Sequence, residues 1–222
     1  MDVTVVKVGG SLANQPQKLR ALCNKLCELS LKHALVMVPG GGEFADTVRQ
    51  FDKRFSLSNQ ASHKMAILGM DQYGWLLLDL IPAAVASTGL QEARKALAEG
   101  KLAVFLPAKF MLKGDPLENS WSVTSDSIAL YIAHRLYAKR LMLVTDVDGV
   151  YYADPKTNPK ATLIEEISSH KLSTLKRTSV DSALAGLLLK WRMDCFVLNG
   201  AYPDRVEAVL EGQKTVYTHI SH

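Results

Sequence analysis

A glycine pair directly after a valine-rich run constrains this chain more than any other stretch. Residues 3–8 contain four valines, and such a β-branched run predicts a buried strand. The strand ends at Gly9 and Gly10, where no Cβ keeps another molecule away from the backbone. Successive N–H groups in a turn between a strand and a helix can hold an anion. The stretch therefore predicts an anion-binding turn.

Lys7 places a charge inside this apolar run. Burying a lone ammonium costs much free energy, so a phosphate bound at the end of the strand would explain the position of Lys7. The alternative is that Lys7 lies on an edge strand and that the glycine pair is only a turn. The local sequence leaves both interpretations open.

Strand-like and helix-like patterns alternate along most of the chain, as in a parallel α/β sheet. We predict a three-layer αβα sandwich with a mainly parallel central sheet. Residues 1–222 contain no repeat, linker or low-complexity tract, so we expect a single domain. We expect a long helical region from Ser58 to about residue 87, kinked or split at Gly69, Gly74 or Pro82. We expect irregular chain over residues 108–122 and 145–159.

A second glycine loop, Gly40-Gly41-Gly42, follows the second predicted strand. In open parallel sheets, ligands bind outside the carboxyl ends of the strands. Two glycine loops at such ends can hold two anionic groups, one for each of two substrates. The sequence has neither a GxxxxGK[ST] loop nor a GxGxxG motif, which argues against a P-loop or a dinucleotide-binding fold.

Composition limits the partners and the location of the protein. The formal net charge is only +4, and no cluster of basic residues is interleaved with aromatic residues, so we expect no nucleic acid partner. Polar residues Asp71, Gln72 and Asp79 interrupt the longest apolar stretch, which predicts a buried helix and no membrane span. Three cysteines and the absence of a signal peptide predict a cytoplasmic protein.

The broad apolar surface of the helix after Ser58 predicts a homodimer or a higher homo-oligomer.

Four motifs, in this order, resemble those of the amino acid kinase family, and the match runs nearly end to end. They are Lys7-Val8-Gly9-Gly10-Ser11, residues 39–42 (PGGG), Thr124-Ser125-Asp126 and residues 145–156 (TDVDGVYYADPK). Within the family, the segments PGGGEFAD and PLENSWSVTSDS most resemble the small kinases of methanofuran biosynthesis. Those kinases add a second phosphate to aminomethyl-furanmethyl phosphate.

The resemblance implies transfer of the γ-phosphoryl group of ATP to a small phosphate-bearing acceptor, with Mg²⁺ held mainly by phosphates and by no assigned protein ligand. It implies that the N-terminal part binds the acceptor and the C-terminal part binds the nucleotide. It gives Lys7 and Asp126 catalytic roles, in which Lys7 contacts the transferring phosphoryl group and Asp126 orients Lys7 or a metal-bound water. The remaining implied contacts are Gly9, Gly10 and Ser11 for the ATP phosphates, Gly40, Gly41, Gly42 and Ser125 for the acceptor, and Thr145, Asp146, Gly149, Val150, Tyr151, Asp154, Pro155 and Lys156 for the nucleotide.

The chain departs from the family in one segment. Many members carry a second phosphate-binding lysine in a Gly-Gly-Met-x-x-Lys segment, where this chain reads TSVDSAL over residues 178–184. Lys176 and Lys190 are nearby, but neither is aligned with the missing lysine. Asp181 in this segment either caps the following helix or contacts the nucleotide or metal. Trp121 and Phe44 are either anchors of the fold or walls for an aromatic acceptor.

Alternative functions therefore stay open. The acceptor could be isopentenyl phosphate, a nucleoside monophosphate or a carboxylate. The missing lysine also leaves open a non-catalytic protein that binds a nucleotide or an anion on the same fold.

Overall fold

The structure is a computed structural model that describes residues 2–153, 155, 157–175 and 178–222. Its strands are β1 (Thr4–Val8), β2 (Leu35–Pro39), β3 (Val85–Ser87), β4 (Ala103–Phe105), β5 (Arg140–Thr145), β6 (Val150–Tyr151), β7 (Leu163–Ile164), β8 (Glu166–Ser168), β9 (Asp194–Asn199) and β10 (Thr218–Ser221). Its α-helices are α1 (Pro16–Ser30), α2 (Gly42–Phe55), α3 (Asn59–Leu80), α4 (Leu90–Ala98), α5 (Ala108–Gly114), α6 (Ser125–Leu136), α7 (Ser169–Leu172), α8 (Leu184–Trp191) and α9 (Asp204–Leu210). A short 3₁₀ helix, Gly10–Asn14, follows β1.

The main sheet has the strand order β3-β4-β2-β1-β5-β9-β10-β8 over the described residues. Every neighbouring pair in it is parallel except β9 and β10. A hydrophobic cluster covers each face: Val5 of β1 belongs to one, and Val6 and Val8 belong to the other. This alternation is expected for a strand that is buried on both faces. The predicted αβα sandwich with a mainly parallel sheet is confirmed.

Strand β1 lies in the interior of the sheet, between β2 and β5. The interpretation of Lys7 as an edge-strand residue is therefore wrong. Since side chains alternate along a strand, Lys7 lies on the same face of the sheet as Val5. Val5 packs in the cluster that also contains Ile128 and Ala129 of α6. The ammonium of Lys7 is thus directed toward α6.

The two glycine loops are in contact because β1 and β2 are parallel neighbours, with Val8 paired with Pro39 at their ends. A Cβ added at Gly10 would overlap the backbone of Gly42, and a Cβ added at Gly40 would lie 2.6 Å from the N atom of Gly10. Gly42 also has a φ of 53°, in the left-handed region. Only residues without a side chain allow the loops to pack this closely.

Two sequence predictions about helices were wrong in part. Helix α3 ends at Leu80, which agrees with the predicted break at Pro82, but residues 85–87, which we assigned to the same helical region, form the edge strand β3. Pro82 explains the early end, since proline has no N–H group and disfavours helical geometry in the residue before it. Residues 108–114, predicted to be irregular, form α5, in which Met111 is fully buried and the N–H of Ala108 donates to Asp71.

The long segment after β5 is more ordered than predicted. It contains the antiparallel pair of β6 and β7, and Asp148 just before β6 is held by Arg205 at 2.6 Å and by the Asn199 amide at 3.1 Å. The N–H of Val150 donates to the Thr218 hydroxyl at 2.8 Å. Because these contacts come from distant parts of the chain, local sequence patterns did not indicate them.

The three cysteines are not in disulfides. Cys23 is fully buried, and burial raises the pKa of its thiol to about 12, which fits a structural thiol. None of the helices in the described part of the chain is both long and apolar enough to span a lipid bilayer.

The contact between the glycine loops predicts a strong effect of Gly10→Ala. The new methyl group would force the loops apart, and overpacking of this kind costs about 1–3 kcal/mol. Gly186→Ala is the matched control, since a Cβ there meets nothing within 4 Å and an alanine in α8 is expected to be neutral or stabilising. Urea denaturation measures both variants. Equal stability of Gly10→Ala and the wild type would contradict the close contact.

Candidate active site

Two neighbouring cavities lie at the carboxyl ends of the central strands. The glycine-loop cavity, of about 360 Å³, is lined by residues of both glycine loops and by Lys7. The β5-loop cavity, of about 600 Å³, is lined by Thr145, Asp146 and the chain that follows, together with residues 178–182. Thr145 and Ser179 line both cavities, so the two spaces adjoin at the end of β5.

Most residues predicted for the phosphate and acceptor contacts lie around the glycine-loop cavity. Those that line it are Lys7, Gly9, Gly10, Ser11, Gly41, Gly42 and Ser125. Gly40 does not line the cavity, because it packs behind the first loop against Gly10. Helix α2 begins at Gly42 without a side-chain cap, and its first backbone hydrogen bond runs from the N–H of Ala45 to Gly41. The N-terminus of α2 thus offers N–H groups and a favourable dipole to an anion at this end of the cavity.

Lys7 and Asp126 form a buried ion pair, with 2.7 Å between Lys7 Nζ and Asp126 Oδ1. Asp126 lies in the first turn of α6, on the face of the sheet toward which Lys7 points. Its other oxygen, Oδ2, accepts a hydrogen bond from the N–H of Asp181 at 3.2 Å. The pair compensates the burial of the ammonium, so a bound phosphate is not needed to explain the position of Lys7 in the strand.

Asp181 links three segments near this ion pair. Its carboxylate accepts hydrogen bonds from the N–H and hydroxyl groups of Thr124 and Ser127, which lie at the start of α6. It also accepts one from the N–H of Leu184 at 2.9 Å, at the start of α8. Asp181 is therefore a capping residue, for α6 as well as for α8. Burial raises the pKa of Asp181, and the nearby negative charge of Asp126 raises it further.

The residues predicted to bind the nucleotide are divided in the structure. Thr145, Asp146, Tyr151 and Pro155 line the β5-loop cavity. Gly149 and Val150 do not, since both are buried: Gly149 packs against Thr218, and Val150 pairs with Ile164. Asp154 and Lys156 lie outside the described residues.

The source of a second positive charge was left open by the sequence. No lysine or arginine is among the described residues that line the β5-loop cavity. Lys190 lies on α8, with its ammonium 5.8 Å from the Trp191 ring centroid, and does not line the cavity. Lys176 lies outside the described residues.

Three titratable residues around the glycine-loop cavity were missed in the sequence: Asp46, Arg49 and His63. Asp46 Oδ1 pairs with Arg49 Nη1 at 2.7 Å. His63 is buried, and its Nε2 lies 2.6 Å from Asp115 Oδ2. Their helical spacing could have indicated these residues. One set of cavity-lining residues lies on α2 and consists of Gly42, Ala45, Asp46 and Arg49. The other set lies on α3 and consists of His63, Ala66, Ile67 and Met70. Both sets follow the i, i+3, i+4, i+7 pattern of a single helix face.

Trp121 and Phe44 have different environments. Trp121 lines the glycine-loop cavity, its indole N–H donates to Asp52 at 2.7 Å, and the Arg49 guanidinium lies 4.6 Å from its ring centroid. Phe44 does not line the cavity; it is 40% exposed and lies against Gly69 of α3. Of the two aromatic residues, only Trp121 is placed to meet a ligand.

The described residues contain no group of three histidine, cysteine or acidic side chains that could hold a metal ion. Mg²⁺ commonly keeps several waters and binds through substrate phosphates with few protein ligands. A Mg²⁺ ion that arrives with a phosphate-bearing substrate needs no such group of protein ligands.

Comparison with known proteins decides the family. The model of the amino acid kinase family matches residues 2–188. The chain belongs to the amino acid kinase family. A [5-(aminomethyl)furan-3-yl]methyl phosphate kinase of Methanocaldococcus jannaschii is 38% identical over 217 residues, which cover 97% of this chain and 96% of that protein. The resemblance to this group of kinases, drawn from the sequence, is thereby confirmed.

Uridylate kinases are also similar to this chain over nearly its whole length. The uridylate kinase of Methanosarcina barkeri is 26% identical, with 98% of this chain and 95% of that protein covered. Among solved structures, the UMP kinase of Ureaplasma parvum has a TM-score of 0.79 at 21% identity, covering 100% of this chain and 99% of that one. The uridylate kinase of Archaeoglobus fulgidus has a TM-score of 0.76 at 21% identity, with full coverage of both chains. These two structures agree with the fold described above.

The raised pKa of Asp181 predicts a pH-dependent effect of Asp181→Asn. The folded protein binds the Asp181 proton more tightly than the unfolded chain does. The stability that this tighter proton binding contributes is therefore fully present below about pH 4, and it is lost as the pH rises through the pKa of Asp181 in the folded protein. Asp181→Asn is expected to lower the free energy of unfolding relative to the wild type. We expect this loss to be smaller near neutral pH than at about pH 4. Urea denaturation across this range measures the difference.

Asp79→Asn, which removes an exposed carboxylate from α3, is the control for general charge effects. A loss that is constant with pH would contradict the raised pKa of Asp181.

Proposed function

We propose that this protein transfers the γ-phosphoryl group of ATP to [5-(aminomethyl)furan-3-yl]methyl phosphate and forms the corresponding diphosphate, as in methanofuran-type cofactor biosynthesis. The observation that carries the proposal is the 38% identity, over nearly the whole of both chains, to a kinase named for this acceptor. The adjoining cavities support it, since a kinase must bring two anionic substrates together.

The reaction needs little covalent chemistry from the protein. An oxygen of the acceptor phosphate attacks the γ-phosphorus, a new P–O bond forms, and the bond to the leaving oxygen of ADP breaks. A phosphate oxygen is already a nucleophile at neutral pH, so no strong general base is required. The protein mainly has to align the two anions and offset their repulsion. Mg²⁺ bound to the ATP phosphates would neutralise part of their charge.

Lys7 is assigned to the transferring phosphoryl group, and Asp126 is assigned to hold the ammonium in place. At about 4 Å and an effective dielectric constant of about 20, one such charge pair is on the order of 4 kcal/mol. We assign Gly9, Gly10 and Ser11 to the ATP phosphates, and Gly41, Gly42 and Ser125 to the acceptor. Gly40 supports these contacts from behind. The N-terminal part of a single domain then binds the acceptor, and the C-terminal part binds ATP through Thr145, Asp146, Tyr151 and Pro155.

The second candidate function is a uridylate kinase, favoured by the relatives and solved structures of that name. The glycine-loop cavity is large enough for the furan acceptor. A volume of about 360 Å³ is at the lower end of the usual range for ligand cavities. It accommodates one five-membered ring with two short substituents. The apolar side chains of Ala66, Ile67 and Met70 would contact the ring.

A panel of acceptors tests the proposed function. The protein is incubated with ATP, Mg²⁺ and one acceptor at a time: the aminomethyl-furan phosphate, UMP, isopentenyl phosphate or a carboxylate. Phosphorus NMR detects the diphosphate or the acyl phosphate. Turnover of UMP alone would establish the second candidate. ATP binding without turnover of any acceptor would favour a non-catalytic role.

Lys7→Met is expected to lower kcat at least about a hundredfold, the scale of one lost electrostatic contact in the transition state. Lys139→Met removes an exposed lysine that pairs with Asp2, and it should leave kcat unchanged. Since Lys7→Met leaves Asp126 buried without its partner, the double variant Lys7→Met/Asp126→Asn provides a second, charge-balanced test. Wild-type activity in either Lys7 variant would remove Lys7 from the mechanism.

We further propose that the protein is cytoplasmic and forms a homodimer. Helix α3 exposes an apolar stripe of Met65, Leu68, Trp75 and Leu76 at helical spacing, and α2 exposes the rings of Phe51 and Phe55. An exposed apolar stripe of this kind marks an interaction surface more often than single exposed residues do. A second copy of the same chain would bury the stripe.

Sedimentation velocity should give the mass of a dimer for the wild type and of a monomer for Leu68→Glu, and a monomeric wild type would contradict the proposal.

A further inference from the structure

Asp46 is unusual among the residues around the glycine-loop cavity. It is the only carboxylate in that lining within the part of the chain that the structure describes. One of its oxygens, Oδ1, pairs with Arg49, while Oδ2 accepts no hydrogen bond from any described residue. A carboxylate has about four acceptor sites on its two oxygens, so Asp46 can still accept hydrogen bonds from a cation.

The Asp46 side chain is 61% exposed, and its partner Arg49 is held by further contacts. Arg49, its partner, also lies over the Trp121 ring at 4.6 Å. Trp121 is in turn tied to Asp52 of the same helix by its indole N–H. The ion pair therefore belongs to a connected group of side chains on one face of α2. An isolated surface pair would lack these supporting contacts.

The spacing along α2 defines the shape of a ligand. Asp46 follows Gly42 by one helical turn, a rise of about 6 Å along the axis. The N-terminus of α2 at Gly42 favours an anion, and Asp46 favours a cation. Ala66, Ile67 and Met70 of α3 add an apolar surface to the same cavity. The cavity thus matches a small molecule with an anionic group, an apolar middle and a cationic group one turn away.

We infer that Asp46 binds the ammonium group of the acceptor and thereby sets the preference for an amine-bearing acceptor over one without the amine. The inference rests on the proposed function, because that function places the acceptor phosphate at the N-terminus of α2. It adds a specificity determinant to that function: Asp46 selects for the amine and takes no part in the bond that forms or breaks. The Arg49 guanidinium keeps the carboxylate in place through Oδ1 while Oδ2 accepts from the ammonium.

A pair of acceptors isolates this contact. One is [5-(aminomethyl)furan-3-yl]methyl phosphate, and the other is (5-methylfuran-3-yl)methyl phosphate, which keeps the ring and phosphate but lacks the amine. For Asp46→Asn we expect KM for the amine-bearing acceptor to rise about tenfold, at the lower end for hydrogen bonds to charged groups because Asp46 is exposed. The kinetic constants for the amine-free acceptor should stay at the wild-type values.

Glu43→Gln is the matched control, since it removes a negative charge from the first turn of the same helix at a residue that does not line the cavity. It should change the constants for neither acceptor, and Asp46→Glu should keep most of the preference for the amine. Equal changes for both acceptors in Asp46→Asn, or no change for either, would overturn the inference while leaving the proposed kinase function intact. Failure of the wild type to phosphorylate either acceptor would overturn both.

Discussion

The buried ion pair between Lys7 and Asp126 is the interaction on which the rest of the site depends. It joins the central strand β1 to the start of α6, and through the N–H of Asp181 it reaches the loop before α8. Either charge alone in this position would be strongly unfavourable, so the strand and the helix are held in one relative position. In the proposed reaction, an ammonium that is fixed in advance needs little reorganisation when the anion binds, and such preorganisation is what makes electrostatic catalysis effective.

The proposed reaction requires two anions to come close to one ammonium, and the glycine loops leave room for this. Side chains at Gly10 or Gly40 would push the loops apart, because the added atoms would fall on the backbone of the other loop. With glycines, the loops following β1 and β2 can share one edge of the sheet. The parallel register of the two strands puts both turns at the same height. The strand order and the glycines therefore act together: the first places the two loops side by side, and the second allows them to pack closely.

The sequence was sufficient for the features that depend on local patterns. The valine run, the glycine loops and the alternation of strands and helices gave the fold class and the position of the cavities at the strand ends. The features it did not give depend on contacts between distant residues. The partnership of Asp181 with Thr124 and Ser127 joins segments more than fifty residues apart, and the pairing of Val150 with Ile164 orders a segment predicted to be irregular. Asp46, Arg49 and His63 could have been found from helical spacing, but only with the knowledge of which helix face meets the cavity.

The lysine and the arginine that line the glycine-loop cavity in the described part of the chain have one property in common: each already contacts a carboxylate. Lys7 contacts Asp126, and Arg49 contacts Asp46. A simple anion entering such a cavity meets a set of balanced pairs, so its gain in electrostatic energy is smaller than the number of basic residues suggests. A ligand with both charges can add to the pairs at two points without leaving a carboxylate uncompensated. Pairing of this kind favours a zwitterionic acceptor over an anion of the same size, and it places selectivity on the acceptor side, away from the atoms that react.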